Sequence, residues 1–356
     1  MPGMRFQADA LRTMAARIFA AIGTPDDVAA VVADTLVEAN LMGHDSHGVL
    51  RVPQYVGAAR EGHLEVAARP RRVTAHGATA LVSGEWGFGQ LTGRLAMDEA
   101  VRLAREYGVG ATAAIRCTHL GRVGDYVERA AARGCVGMAW VGGLHPAAVP
   151  HGGRRRALGT NPMAVGFPVA GEDPVVLDFA TTMIAAGKIA AARAAKKPLP
   201  PGRIVDRDGA PATDPQAFYD GGALLPFGEH KGYALSTVVD LLGQALTGAD
   251  RPDASQRGDA QPGQRRSGAL FVAIDTGAFR PAEDAAATAR SLVDRLRDVP
   301  PAPGFTCVLT PGQPEARTRA QRLRDGIEVA EATWQAIRDT AAAAGLAPAA
   351  LPEPMG

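Results

Sequence analysis

Two histidines, a carboxylate, a hydroxyl and an arginine fall within residues 43–55, whose sequence is GHDSHGVLRVPQY. His47 has a ring that gives or takes a proton near neutral pH. Ser46 stands beside it to orient the ring, and Arg51 offers a planar fork for an anion. His44, Asp45 and Gly48 complete the turn. Proton exchange with a substrate held by its negative charge is the chemistry this set suits. The plain alternative is a polar turn that ends one helix and begins the next, since such residues are common caps.

Other polar clusters follow apolar segments that read as strands, where open α/β sheets bind ligands. In THLGRV, residues 118–123, a helix start with open amides, Gly121 and Arg122 can receive a phosphate. In LGTNP, residues 158–162, Thr160 and Asn161 can hold a carboxylate, and a simple turn explains Asn-Pro equally well. LDFATT, residues 177–182, carries Asp178 and two threonines that suit helix capping. FGEHKGY, residues 227–233, sets His230 and Lys231 among glycines that permit close backbone approach. PGQPE, residues 311–315, opens a helix without bulk. No His and Cys cluster has zinc spacing and HDSH lacks the HExxH register, so no catalytic metal is expected.

A dinucleotide fingerprint is matched by Gly108, Gly110 and Ala113, with Glu128 about 20 residues after Gly108. The context rejects it, because a helix runs into these glycines and a strand runs out, the reverse of a Rossmann turn.

The elements that must position these residues can be read from periodicity. At 356 residues with 46% hydrophobic content, the chain predicts two lobes, or one large α/β body with an added helical lobe. Lys plus Arg number 38 against 37 Asp plus Glu, so nucleic-acid binding has no electrostatic footprint. Cys117, Cys135 and Cys307 form no CxxC pair and read as reduced. No leader or long apolar run is evident, which predicts a soluble cytoplasmic protein.

Leu11, Met14, Ile18 and Phe19 mark a first helix that Gly23 stops. Thr24 is expected to cap the second helix, with Pro25 at its first position and Val28, Val32 and Leu36 buried. That helix delivers the chain into the DSHG turn, and a third starts at Pro53. Segments 72–76 and 79–83 read as a hairpin. Helices are predicted over 88–107, with Leu91, Leu95, Val101 and Ala104 inward, and over 123–133, 182–193, 282–296, 315–324 and 328–344. Strands are predicted at 109–115, 136–141, 163–168, 174–179, 270–274 and 306–310, which argues a mixed sheet. Residues 206–214 look like a hairpin turn, 231–246 a buried helix and 251–267 a loop. The expected domains are a helical lobe over 1–70, an α/β body over 71–315 and closing helices over 316–356.

Taken in order, GHDSHGVLRVPQY, WGFGQ, His119-Leu120-Gly121, GTNP, LDFATT with AAGKI, HKGYAL and PGQPE resemble the malate/L-lactate dehydrogenase-like family, also called sulfolactate dehydrogenase-like. The resemblance implies an α/β, non-Rossmann mixed-sheet NAD(P)-binding fold with a helical N-terminal lobe. It implies a homodimer and hydride transfer between NAD or NADP and a 2-oxo or 2-hydroxy acid. Carried over by position, His47 is the proton donor and Ser46 its relay neighbour. Arg51 clamps the substrate carboxylate, with Thr160 and His119 lining the pocket. Cofactor contacts fall on His119, Leu120, Gly121, Arg122 and Val123, on Asp178, Phe179 and Ala180, on His230 and Lys231, and on Gly312, Gln313, Pro314 and Glu315. In the branch that reduces cyclic imines an Asp is expected where this chain has Lys188, which favours a keto acid here, and Asp45 is the nearby carboxylate that could stand in. The alternatives are cyclic imine reduction, ureidoglycolate oxidation, or an inactive dinucleotide-binding protein.

Overall fold

The computed structural model describes residues 3–143, 145–194, 196–249 and 267–355, so the loop expected at 251–267 lies outside the described residues except for Ser267. The elements in chain order are β1 (Met4–Phe6), α1 (Ala8–Ala21), α2 (Asp26–Leu41), α3 (Val52–Arg60), β2 (Arg71–His76), β3 (Thr79–Ser83), α4 (Gly89–Tyr107), β4 (Val109–Ile115), α5 (Gly124–Ala131), β5 (Cys135–Gly142), β6 (Met163–Phe167) and β7 (Val175–Phe179). They continue with α6 (Ala186–Ala194), β8 (Ile204–Val205), β9 (Pro211–Ala212), α7 (Pro215–Tyr219), β10 (Ala223–Leu224), α8 (His230–Asp240), β11 (Gly268–Asp275), α9 (Ala282–Arg297), α10 (Gln313–Asp325), β12 (Ile327–Val329) and α11 (Glu331–Ala343).

The helical lobe buries the faces its periodicity announces: Leu11, Met14, Ile18 and Phe19 on α1, and Val28, Val32 and Leu36 on α2. Gly23 adopts φ +89, the left-handed geometry that ends α1. Thr24 does not cap α2. Pro25, in an extended conformation, is the last residue outside the helix, and the Thr24 side chain is buried with its hydroxyl unpartnered. The remaining apolar face is covered by the far end of the same chain. Phe6 packs on Trp334 with ring centroids 4.4 Å apart, and Ile327, Val329, Ile337 and Ala341 join the same core. Where a helix was expected from 328, Ile327, Glu328 and Val329 alternate in, out and in, the period of a strand. β12 therefore pairs antiparallel with β1, Met4 opposite Val329.

The body is a seven-stranded mixed sheet in the order β2-β3-β4-β11-β5-β6-β7. Only β3 and β4 run parallel, joined across α4, and β11 forms the centre between β4 and β5. α4 packs into the core of the sheet through Ala96, Met97, Ala100, Val101 and Ala104, and Gly93 makes room for the Tyr126 ring of α5. Leu95 is only half-buried, because the small residues beside it carry the close approach, and Leu91 packs on the helical lobe instead. The glycines of the apparent fingerprint are used up by packing. Gly108 ends α4 at φ +85, and a Cβ on Gly110 would lie 2.1 Å from the Ala100 carbonyl oxygen.

Three more expectations change and one holds. Residues 306–310 form no strand: Thr306 and Cys307 lie in a bend and 308–310 are irregular. The helix predicted from 182 begins at Ala186, because Thr182 is bridged to Pro226. The segment from 231 is helical but not buried: Val238 is 49% exposed, Leu241 54% and Leu246 64%. The hairpin at 206–214 forms, with Asp206 Oδ1 accepting the amides of Asp208 and Ala210 at 2.9 Å each. β8 pairs with β9 across it and with β10 on its other side.

Because α11 closes the core of the N-terminal helices, a cavity there is expected to be costly. Ile337→Ala should destabilise the protein by about 2–5 kcal/mol in urea unfolding. A loss under about 1 kcal/mol would mean that α11 is only loosely applied to the lobe.

Candidate active site

α2 hands the chain to two successive 3₁₀ turns, Asp45–His47 and Val49–Arg51, and then to α3. These turns are folded around Asn40, which is 4% exposed. Its Oδ1 accepts the Val49 amide at 2.8 Å, and its Nδ2 donates to Asp45 Oδ1 at 2.6 Å. A Cβ on Gly48 would come within 2.2 Å of Asn40 Oδ1, so only glycine lets the turn close. From α10, Arg322 forks onto Asp45 with bonds of 2.6 and 2.9 Å and also donates to the Asn40 carbonyl. Asp45 is thus committed to Arg322 and Asn40, and does not stand in as a relay carboxylate for His47.

On the other side of the turn, Ser46 Oγ and His47 Nδ1 share a hydrogen bond of 2.9 Å. The His47 ring stacks on His119 with centroids 5.5 Å apart and an interplanar angle of 14°. Burial, and next the Arg51 guanidinium, push His47 down to about 3, so its resting form is neutral. His119 Nδ1 lies 2.7 Å from the Tyr55 hydroxyl, which accepts a bond of 2.8 Å from Gln90 Nε2. Burial raises Tyr55 to about 12, which keeps it protonated. Arg51 Nε donates to the Ser46 carbonyl at 2.7 Å and Nη1 to Gln54, bracing the guanidinium against the turn. The start of α6 lies against the same turn. A Cβ on Gly187 would be 3.0 Å from Ser46 Cβ, and Lys188 is the next residue along α6.

A second group gathers where α5, β7 and α10 meet the turn. Asp178 Oδ2 accepts the Gly124 amide at 2.8 Å, and His44 Nε2 lies 3.7 Å from Glu315 Oε1. Burial raises Asp178 and lifts Glu128 to about 7, while burial lowers His44 against the pull of Asp178. Arg122, 3% exposed, sends both terminal nitrogens to Glu128, so its fork faces inward rather than standing open for a phosphate. Leu120 and Val123 are core side chains, leaving only their backbone for a ligand. Gly121 at φ +75 and Gly312 at φ +90 turn the backbone sharply around this group. Gln313 Oε1 accepts the Thr310 amide at 3.2 Å, and Pro314 lies in the first turn of α10.

Thr160 is brought to the third group by Thr181, whose amide and hydroxyl both donate to the Thr160 carbonyl, at 2.9 and 3.0 Å. Neither threonine of LDFATT caps α6, which starts further on. The Thr181 carbonyl accepts the Phe227 amide, and Phe179 meets Phe227 edge to face at 5.4 Å. Ala180 is therefore carried beside the loop that opens α8, where His230 and Lys231 are exposed. Asn161 adopts φ +38 and donates to the Ser236 carbonyl at 2.9 Å, tying GTNP to α8. Asn40 and Arg322 lie outside every motif quoted above, and Tyr55, Gln90 and Gly187 lie inside motifs that assign them no role.

A model of the malate/L-lactate dehydrogenase family matches residues 6–338. Hydroxycarboxylate dehydrogenase B of Escherichia coli (strain K12) is 34% identical over 347 residues, covering 97% of this chain and 95% of its own. The solved sulfolactate dehydrogenase of Methanocaldococcus jannaschii superposes with a TM-score of 0.86 at 34% identity, over 96% of this chain and 98% of its own. The delta1-piperideine-2-carboxylate reductase of Pseudomonas syringae pvar. tomato superposes with a TM-score of 0.82 at 34% identity, over 94% and 99%.

The burial of His47 beside Arg51 has a direct spectroscopic consequence. Its ring protons should show no titration between pH 5 and 8 by NMR in the ligand-free protein, because protonation is pushed down to about 3. A midpoint near the ordinary histidine value would show that the ring is solvated.

Proposed function

The chain belongs to the malate/L-lactate dehydrogenase family, and on that premise we propose that it is an NAD(P)-dependent 2-hydroxy acid dehydrogenase in which His47 exchanges the proton and Arg51 grips the carboxylate. The observation that carries this assignment is the turn itself. Ser46 bonds the His47 ring on one side and offers its carbonyl to Arg51 on the other, so acid–base group and anion clamp share one rigid mount.

The glycine-lined junction fits a dinucleotide. A Cβ on Gly124 would fill the space beside Asp178 Oδ2, at 2.8 Å, and one on Gly312 would press on the β7 backbone. Backbone at His119–Val123 and Gly312–Glu315, the Asp178–Ala180 strand end, and His230 with Lys231 would hold it. The nicotinamide, when bound, supplies or accepts the hydride. Arg51 fixes the acid so that its carbonyl is presented in one orientation. In oxidation the neutral His47 takes the hydroxyl proton. In reduction it must first be protonated, and a carboxylate on Arg51 offsets the charge that disfavours this. Ser46 bonds no carboxylate among the described residues, and Lys188 occupies the neighbouring position. That favours an oxo acid over a cyclic imine as substrate.

A homodimer is supported by α8 and the turn of π-helix after it. Ala234, Val238, Leu241 and Ala245 fall at helical spacing on an exposed face, whereas the second face of the N-terminal helices is filled by α11 of the same chain. Cys117 and Cys135 are buried free thiols, which suits a reducing cytoplasm, and no helix among the described residues is long and apolar enough to cross a membrane.

Nicotinamide absorbance with NADH and NADPH across a panel of 2-oxo acids and cyclic imines decides the reaction. His47→Ala should lower turnover by about 10²–10⁴-fold. In the unsubstituted protein kcat/KM for reduction, which reports the free enzyme, should fall about tenfold per pH unit from pH 5 to 8, since only protonated His47 donates. Oxidation should show no His47 ionisation over that range. Reduction that is flat with pH and unaffected by His47→Ala would remove His47 from the mechanism.

Leu241→Glu, which plants a charge in the α8 face, should convert a dimer to monomer in light scattering. A monomeric parent protein, or a variant still dimeric, would place the contact elsewhere.

A further inference from the structure

Beside the stacked rings of His47 and His119 runs a chain of side chains that the acid–base reading does not use. Gln90, in the first turn of α4, is 0% exposed. Its Nε2 donates to the Tyr55 hydroxyl at 2.8 Å, and that hydroxyl lies 2.7 Å from His119 Nδ1. Gln90, Tyr55 and His119 come from α4, α3 and the loop before α5, and the joints between these elements are tight. The Thr118 hydroxyl accepts the Gly89 amide at 3.0 Å and donates to the Gly87 carbonyl at 2.7 Å. A Cβ on Gly89 would come within 2.5 Å of the His119 carbonyl oxygen, and one on Gly121 within 3.4 Å of Gln90 Nε2. Phe88 holds the Tyr55 ring edge to face, with centroids 6.0 Å apart.

The direction of these bonds fixes where the protons are. An amide nitrogen only donates, so the Tyr55 oxygen is the acceptor from Gln90. Burial raises Tyr55 to about 12, so the hydroxyl keeps its own proton and turns it to His119 Nδ1. Nδ1 is then an acceptor. The proton of the neutral ring sits on Nε2, at the edge turned away from Tyr55. An imidazolium would set an Nδ1–H against the tyrosine proton. The carbonyl end of Gln90 is buried and finds no partner among the described residues, a costly arrangement for a side chain that merely fills space. Its donor end is what the position uses.

We propose that Gln90 is a positioning residue that acts through Tyr55 to hold His119 as the neutral Nε2–H tautomer, and that this Nε2–H is a fixed hydrogen-bond donor to the substrate oxygen on which His47 acts. The two stacked rings then divide the work. His47, bonded to Ser46 through Nδ1, gives or takes the proton. His119 keeps its own proton and stabilises the charge that develops on the oxygen while hydride moves between the nicotinamide and the adjoining carbon. It ends each cycle as it began. A ring whose Nδ1 already accepts a hydrogen bond does not compete with His47 for the proton, which is the use of a neutral imidazole as an electrophile. The proposal rests on the hydroxy acid reading and adds a second group to it.

The test is ring-¹⁵N NMR of His119 in the full-length protein, with the signal assigned by its loss in His119→Gln. The unsubstituted protein should show a bare Nδ1 and a protonated Nε2, unchanged from pH 5 to 8. That result decides whatever the variants do. An Nδ1–H tautomer, which the reverse orientation of the Gln90 amide would produce, or an imidazolium at pH 7 would overturn the proposal. Gln90→Met keeps the length and removes the donor, and should give mixed tautomers with a His119 that titrates inside that range. Its kcat for 2-oxo acid reduction should fall about tenfold or more while KM for the cofactor stays unchanged, and Tyr55→Phe should do the same. Scrambled tautomers with unchanged kcat would overturn the donor role, and a variant that changes only the melting temperature would leave Gln90 a packing residue. A protein that turns over no 2-oxo or 2-hydroxy acid, yet loses the Nε2–H tautomer in Gln90→Met, defeats the hydroxy acid reading and supports the positioning of His119.

Discussion

Everything at the active turn depends on one buried amide. Asn40 spends its Oδ1 on the Val49 amide and its Nδ2 on Asp45, so it substitutes for the capping bonds that two short 3₁₀ turns do not supply for themselves. Such turns have poor hydrogen-bond geometry and rarely persist without outside support. Removing the Asn40 side chain would leave the buried Val49 amide unpaired, a penalty of about 1–3 kcal/mol. Arg322 then locks the free side of Asp45 from α10, so the position of His47 is set partly by a helix near the far end of the chain. The same helix begins at Gly312–Glu315, with Glu315 close to His44. The acid–base turn and one flank of the proposed cofactor site therefore share a single rigid element.

The electrostatics of the ligand-free site run in one direction. Burial favours the neutral forms of His44, His47, Asp178 and Glu128, while Arg51 and Arg122 keep fixed positive charge. A dinucleotide and an organic acid are both anionic. In the reaction proposed above, their binding would offset the arginines and make protonation of His47 less costly, so the acid would form where and when the substrate carboxylate is in place.

The sequence carried the turn, the mixed sheet and the ordered clusters, because each is encoded by short-range pattern: helical spacing into Gly23, alternation in strands, glycine where the backbone must turn. It did not carry what long-range contacts decide. Arg322 reads as one of many arginines on a polar helix, and nothing near Asp45 announces its partner. Glu328 looks helical until its neighbours Ile327 and Val329 are seen pairing with β1. Arg122 in a Gly-Arg turn suggests a phosphate site, yet Glu128, one and a half helical turns on, claims the guanidinium. Gly108 and Gly110 imitate a nucleotide fingerprint because close helix–sheet packing asks for the same residue as close approach of a phosphate.

Position 188 shows how one residue can divert the same scaffold. It follows the glycine that touches Ser46, so a carboxylate there would extend the serine–histidine relay and raise the basicity of His47. That is the arrangement the resemblance assigns to imine reduction. Lysine does the opposite. It supplies no acceptor to Ser46, and the His47 ring is held neutral by burial first and then by Arg51, which suits a base awaiting a hydroxyl proton. Its side chain instead lines a groove with Lys197 and Arg203. A carboxylate at 188 would therefore remove a cation from the lining of that groove, so the two arrangements exclude each other at one position.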